Sequence, residues 1–374
     1  DAVFLSGGWS VPEVEANFPD TSSNPTPLGR SVMAVDVYSG KVLATADLTD
    51  STIGGTTVGP VSAGIIPFEF VVNSGMAQRA YFMDYKGGLW AWGSKDVWSA
   101  DPYKDFRVDT SELKNWKVRK VYQDDNSATS GLGARYTMPP APFRVGYFPG
   151  VGKTGSASPS AVGIAMISGD RNNPLDTDYN ATTDIAPVKH RLTLVFDRQD
   201  SRAWSLDTGN GPDAGIQDKN LKDFSNNKYT GTASPANVCS DSIFKYISPG
   251  CSDYYLAPAA GNPYFGYYIN FPSMANKFLA KGINPPIVVA GSLFYSYFLP
   301  DTANPCTGGS GNTFSWFTAD VMNPLVSDSR TSVASRSGQS DKWAGVASDY
   351  IALGTRAVLQ GGTVPVSNPQ PGES

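Results

Sequence analysis

Histidine is almost absent from this chain of 374 residues: His190 is the only one. Cysteine is scarce too, with three residues and no CxxC or CxxCH spacing. These absences argue against a zinc ribbon, a thioredoxin-type site and a c-type haem. Charged residues make up only 17%, and the balance is mildly acidic, net −5 from Lys+Arg 29 against Asp+Glu 34. Nucleic acid and anionic membrane surfaces would find no strong electrostatic attraction here. No apolar run reaches the ~20 residues that a membrane helix needs. The opening DAVFLSGGWS lacks a basic n-region, so the chain is expected to be mature or a fragment of something longer.

What is plentiful is turn and strand chemistry. Gly 38, Pro 28, Tyr 18, Phe 18 and Trp 8 favour short strands separated by turns. Apolar segments ending in small residues recur as AVFLSGG (2–8), PFEFVVNSG (67–75), VGIAMISGD (162–170), PPIVVAGS (285–292) and DYIALGT (349–355). The first four lead into amphipathic hairpins: SVMAVDVYSGKVLATADL (31–48), RAYFMDYKGGLWAWGSKDV (79–97), RLTLVFDRQDSRAWSLD (191–207) and SLFYSYFLP…TFSWFTADV (292–321). Their turns YSGK, YKGG and RQDS suit tight connections. One buried strand followed by a meander cannot cover both of its own faces, so several such units must stack around an axis. The expectation is an all-β, irregular β-propeller of about five to seven blades with long interblade loops, over residues 1–362. Residues 363–374 read as a weakly ordered tail, or as a strand closing the ring followed by a short tail. A β-sandwich is the alternative.

The densest polar stretch is DRNNPLDTDYNATTD (170–184), with four aspartates and three asparagines. Within it Asp176, Asp178, Asn180 and Asp184 fall at positions 1, 3, 5 and 9 of a loop, with Thr182 at position 7 able to offer a backbone carbonyl. Such alternation can turn hard oxygen ligands toward one calcium ion. Asn180-Ala181-Thr182 is also a glycosylation sequon. A plain solvated loop between elements is the third reading.

Other apparent motifs are weaker. In GYFPGVGKTGS (146–156) five residues separate Gly146 from Gly152, not the four of a GxxxxGK[ST] phosphate-binding loop, so a flexible loop is the reading around Lys153. His190 stands near no recognisable nucleophile and reads as a partly exposed strand residue. Scattered carboxylates leave a glycosidase pair open. Cys239 and Cys251 bracket NVCSDSIFKYISPGCSD, where a bridge would stabilise by about 3 kcal/mol. Cys306 would then be left over, and three reduced buried cysteines are the other reading. Trp90, Trp92, Trp204 and Trp316 lie in the hairpins, where packing between blades is their first role. DYYLAPAAGNPYFGYYINF (253–271) is dense in aromatics, and Tyr254, Tyr255, Tyr264, Phe265, Tyr267 and Tyr268 form either core or a contact surface for a partner or carbohydrate.

Several blocks, in order, resemble one family. RAYFMDYKGGLWAWGSKD, NWKVRKVYQ (115–123), RYTMPPAPF (135–143), ISGDRNNPLD (167–176) with RLTLVFDRQD (191–200), GYYINFP (266–272), NPPIVVAGSLFYSYFLPDTANPCTGG (284–309) and WFTADVMNPL (316–325) are similar to the C-terminal propeller of PilY-type type IV pilus tip proteins. The resemblance implies an extracellular or outer-membrane factor, without catalytic activity, at the pilus tip. It implies minor pilins or a pilus tip complex as partners, a separate N-terminal chain or region, and adhesion to host or abiotic surfaces. It also implies calcium as a regulator, bound in a nine-residue DxDxDxxxD loop. Here Asn180 replaces the third carboxylate, and the pattern lies one blade later than in those relatives, where the loop precedes the RAY…GGLW hairpin. SVMAVDVYSGKVLATAD resembles the hairpins of quinoprotein dehydrogenases, with Ala44 where a Trp usually follows the turn. A quinoprotein-like propeller enzyme and a lectin-like propeller are therefore the competing expectations.

Overall fold

The computed structural model describes residues 1–8, 28–49, 52–53, 56–69, 77–93, 110–124, 134–145, 161–170, 190–198, 215–223, 225, 266–271, 280–289, 292–299, 313–320, 337–342, 350–353 and 356–359. The domain is all-β. Four antiparallel-based sheets follow one another along the chain. The first holds β1 (Ala2–Ser6), β2 (Ser31–Asp36) and β3 (Val42–Asp47). A short pair, β4 (Thr52–Ile53) and β5 (Thr56–Thr57), leads into the second sheet of β6 (Ile66–Phe68), β7 (Arg79–Met83), β8 (Gly88–Gly93) and β9 (Lys117–Gln123). The third is built from β10 (Ala141–Val145), β11 (Ala161–Ile167) and β12 (Arg191–Arg198).

A strap then crosses back. Its β13 (Ile216–Gln217) adds in parallel to β9, and its β14 (Lys222–Asp223) adds in parallel to β15 (Gly266–Asn270), the strand beyond β12. The fourth sheet contains β16 (Ile287–Val289), β17 (Ser292–Leu299), β18 (Thr313–Asp320) and β19 (Ser337–Lys342). A last hairpin pairs β20 (Tyr350–Leu353) with β21 (Arg356–Leu359). No helix among the described residues is long and apolar enough to cross a membrane.

The period of two in a strand explains how the sheets stack, because alternate residues point to opposite faces. In β7, Ala80 and Phe82 face a cluster shared with Val32, Ala34 and Ala44 of the first sheet. Their neighbours Tyr81 and Met83 face one shared with Val162, Ile164 and Met166 of the third. Trp90 and Trp92 of β8 repeat the first direction, and Leu89 and Ala91 the second. On the far side of the third sheet, Leu192, Leu194 and Phe196 meet Leu293 and Tyr295 of the fourth. The middle sheets are therefore covered on both faces, which is why their strands read as nearly unbroken apolar runs. The edge strand β10 lies close to both β6 and β16, so the leading strands of three sheets gather together.

Two turns behave as their composition predicts. In YSGK the Asp36 carboxylate accepts from Tyr38 N at 3.1 Å, Ser39 N at 2.7 Å and Ser39 Oγ at 2.8 Å. In YKGG, Gly87 adopts φ 86, a left-handed conformation that favours glycine, and its N–H closes onto the Asp84 carbonyl. For the third expected hairpin the structure describes only its first strand, since 199–207 lie outside the described residues. The strand antiparallel to the Arg191–Val195 part of β12 on the side away from β11 is β15, with Leu192 opposite Ile269 and Leu194 opposite Tyr267. The aromatic-rich GYYIN supplies the apolar positions that such a central strand needs to cover.

Candidate functional site

Buried charge concentrates between the second and third sheets, in two clusters. The first centres on Asp197, fully buried in β12. Its Oδ2 accepts from Arg79 Nη1 and from the Tyr81 hydroxyl, both at 2.8 Å, and its Oδ1 accepts from Arg119 Nη2 at 2.6 Å. Arg79 and Tyr81 come from β7 and Arg119 from β9, so one carboxylate in the third sheet binds two strands of the second. Burial pushes the Tyr81 hydroxyl far above its ordinary value, although Arg79 opposes the shift. Burial also lowers Arg119, with Asp197 holding it back.

The second cluster centres on Arg191, the first residue of β12. Its Nη2 lies 2.6 Å from Asp124 Oδ1, from Asp218 Oδ1 and from the Tyr122 hydroxyl. Tyr122 donates to Asp218 Oδ1 at 2.7 Å, and Tyr136 donates to Asp124 Oδ2 at 2.7 Å. The guanidinium carbon sits 4.7 Å from the Tyr268 ring centroid, a cation–π stack. Burial acts against the Arg191 charge, but Asp124, Tyr122, Tyr136 and Asp218 hold it well above its usual value. The Tyr268 hydroxyl is pushed up to about 12, by burial and then by Asp223. Asp218 belongs to the strap, where Ile216 and Leu221 are buried in the same apolar cluster. The strap thus joins two sheet edges and delivers a carboxylate beneath them.

These clusters flank the polar stretch singled out in the sequence. Ser168 and Arg191 are bonded to each other, with Ser168 N donating to the Arg191 carbonyl at 2.9 Å and Arg191 N to Ser168 Oγ at 2.7 Å. Asp170, buried, faces Arg135 at 3.6 Å. Asp170 is the one described residue of the stretch, which falls in the chain between β11 and β12, neighbouring strands of one sheet. Asp176, Asp178, Asn180, Thr182 and Asp184 themselves lie outside the described residues, as do Cys239, Cys251, Cys306, Tyr254, Tyr255, Tyr264 and Phe265. Among the described residues no group of three or more His, Cys, Asp and Glu side chains is placed to hold a metal ion.

Three sequence expectations can be checked directly. Tyr267 is not part of a contact surface: it is fully buried and packs in the cluster between the third and fourth sheets. Tyr268, half-buried, lies against Arg191. His190, expected to be partly exposed, is buried, because the strand it precedes is covered on both faces. Trp90 and Trp92 pack between sheets as expected. The six charged residues of the clusters were missed, although a signal existed. Arg79, Arg191 and Asp197 sit inside or at the end of strands apolar on both faces, where a charge is buried and must find a partner.

Stacked sheets, faces shared between neighbours, and charge clusters at the central interface define an all-β domain of serially packed sheets. The fold is similar to that of the C-terminal domain of PilY1 from Pseudomonas aeruginosa, solved as a crystal structure, with a TM-score of 0.52 and 16% sequence identity. That likeness covers 99% of this chain and 69% of the other. No protein-family model and no curated protein sequence matches the chain.

Proposed function

We propose that this chain is a non-catalytic domain of a type IV pilus-associated factor, folded as an irregular β-propeller and working at the pilus tip or base. The observation that carries the reading is the likeness of fold to the PilY1 C-terminal domain across 99% of the chain. The ordered sequence blocks support it independently of the superposition. The gathering of β6, β10 and β16 supports a ring of sheets around a common axis. In this reading the stacked sheets are a stiff body that presents loops to minor pilins on one side and to a host or abiotic surface on the other. Calcium held by Asp176, Asp178, Asn180, Thr182 and Asp184 tunes the segment between β11 and β12. The domain works outside the cell, at the cell surface or outer membrane.

Deleting the coding sequence in the source organism should reduce surface pili seen by electron microscopy, and gold-labelled antibody should mark pilus ends. Normal piliation with label away from pili would overturn the proposal. An absorbing quinone in the purified protein would favour the enzyme reading instead.

A further inference from the structure

The leading strands of the four sheets are β1, β6, β10 and β16, each at one edge of its sheet, and three of them resist a further strand. Pro67 lies inside β6 and Pro142 inside β10, while Pro285 and Pro286 run directly into β16. Proline has no N–H to offer an incoming strand and is a common guard of sheet edges. β10 also lies close to both β6 and β16. By contrast β1, AVFLS, holds no proline and no charge, and its pairing with β2 has no bulge. The guard is missing from this one leading strand.

The register shows which groups the β1 edge presents. The Asp1 carbonyl accepts from Val37 N at 3.0 Å, and Gly7 N donates to the Ser31 carbonyl at 2.7 Å, so the odd-numbered residues of this segment bond to β2. Antiparallel ladders alternate, and the N–H and C=O groups of Ala2, Phe4 and Ser6 therefore point away from the sheet. Among the described residues no strand takes them up. Val3 and Leu5 stand on the face turned from the second sheet, 43% and 44% exposed. Backbone groups spaced in this way fit an extended strand. A second copy of β1 supplies one without conflict. Placed antiparallel about a two-fold axis at Phe4, it sets Phe4 against Phe4 and Ala2 against Ser6, pairing the outward groups in about six hydrogen bonds. The same register puts Val3 opposite Leu5 of the other copy, twice over, at non-hydrogen-bonded positions where side chains come closest. Asp1 would face Gly7, so no like charges oppose each other.

We propose that two copies of this chain associate through their β1 edges, joining two three-stranded sheets into one continuous antiparallel sheet. This interface goes beyond the pilus reading and does not depend on it. The test is sedimentation velocity on the full chain, wild type against Ala2→Pro and Leu5→Lys, at concentrations up to about 100 μM. Ala2→Pro deletes an outward N–H that β2 does not use, and Leu5→Lys places a charge at an exposed site. Both should keep the near-ultraviolet signal of the buried Trp90 and Trp92, which checks folding. The wild type should sediment as a dimer, and each variant should raise the dissociation constant at least about tenfold. A photo-cross-linking residue at position 3, in mixed isotopically light and heavy chains, should join residues 1–7 of one copy to residues 1–7 of another, and this arm needs neither variant to fold. A wild type that stays monomeric at the highest concentration overturns the proposal. So does a dimer that both folded variants retain, or capture of a different segment.

Discussion

The two faces of the second sheet are glued to their neighbours by different chemistry. Toward the first sheet the contact is aromatic: Trp92 meets Trp116 edge-on at 5.5 Å and Phe4 at 5.9 Å, and Phe4 stacks on Trp116 at 6.1 Å. Toward the third sheet the contact is apolar at its centre but includes the Asp197 and Arg191 clusters. Aromatic packing is tolerant in direction, and each contact adds a modest increment. A buried ion cluster is intolerant: its desolvation cost is offset only while every charge keeps its partners in place. The aromatic interface thus supplies adhesion between sheets, while the charged interface dictates one register between β7, β9 and β12.

Removing one member from each interface tests this contrast. Asp197→Ala should cost about 3–5 kcal/mol in chemical denaturation, because it takes away the carboxylate that Arg79 and Arg119 share. Trp92→Ala should cost a similar amount, about 3–5 kcal/mol, through a cavity. What separates them is coupling. A double-mutant cycle between Arg119 and Asp197 should give about 0.5–3 kcal/mol of interaction energy, whereas one between Trp92 and Asp197 should be additive within about 0.5 kcal/mol. Equal coupling in both cycles would erase the distinction between the interfaces.

Smaller effects should follow at single positions. A Cβ on Gly163 would lie 2.0 Å from Cζ of Phe143, its cross-strand partner, so Gly163→Ala should cost about 1–3 kcal/mol, visible as a lower melting temperature. Asp84 accepts from Gly59 N at 3.0 Å, and from Gly88 N and Trp90 Nε1 at 2.9 Å each, and burial pushes its carboxyl up despite those donors. Asp84→Asn turns an amide toward N–H donors and should cost about 1–3 kcal/mol at neutral pH. A raised folded value means that this group favours folding most below the ordinary carboxylate range and loses that contribution as pH rises through the raised value. The stability gap between wild type and Asp84→Asn should therefore widen on acidification from neutral pH toward 4. A gap that narrows would show that the donors outweigh burial.

The smallest change is expected at the exposed turn of the first sheet. There the Ser39 N–H and hydroxyl, with the Tyr38 N–H, hold Asp36 below its ordinary value. Its contribution is present above the ordinary carboxylate value and lost as pH falls through the lowered one. Ser39→Ala should move the Asp36 titration upward in an NMR titration, leaving both interfaces untouched.

Much of the architecture could be read before any coordinates. The hairpins at 31–48, 79–97 and 292–321 were legible because their alternation and glycine turns are local, and local geometry decides them. The partner of β12 was not legible, since Leu194 meets Tyr267 across a long intervening segment and periodicity says nothing about which distant strand fills an edge. The charged clusters were half legible. Arg79 in RAYFM and Asp197 in RLTLVFD announce buried charge, but only the stacking of two sheets brings them within 2.8 Å. His190 and Tyr267 misled for one common reason: polar or amphipathic side chains in a strand covered on both faces have no solvent side to occupy.

The strap also bears on the order in which the domain can assemble. Ile216 pairs with Tyr122 and Lys222 with Tyr267, so the second sheet gains its last strand only after most of the third has emerged, and the third closes later still. Such distant pairings raise contact order and slow folding. Neither sheet can mature as an independent early intermediate during synthesis, and the pair should open and close as one cooperative unit in native-state exchange.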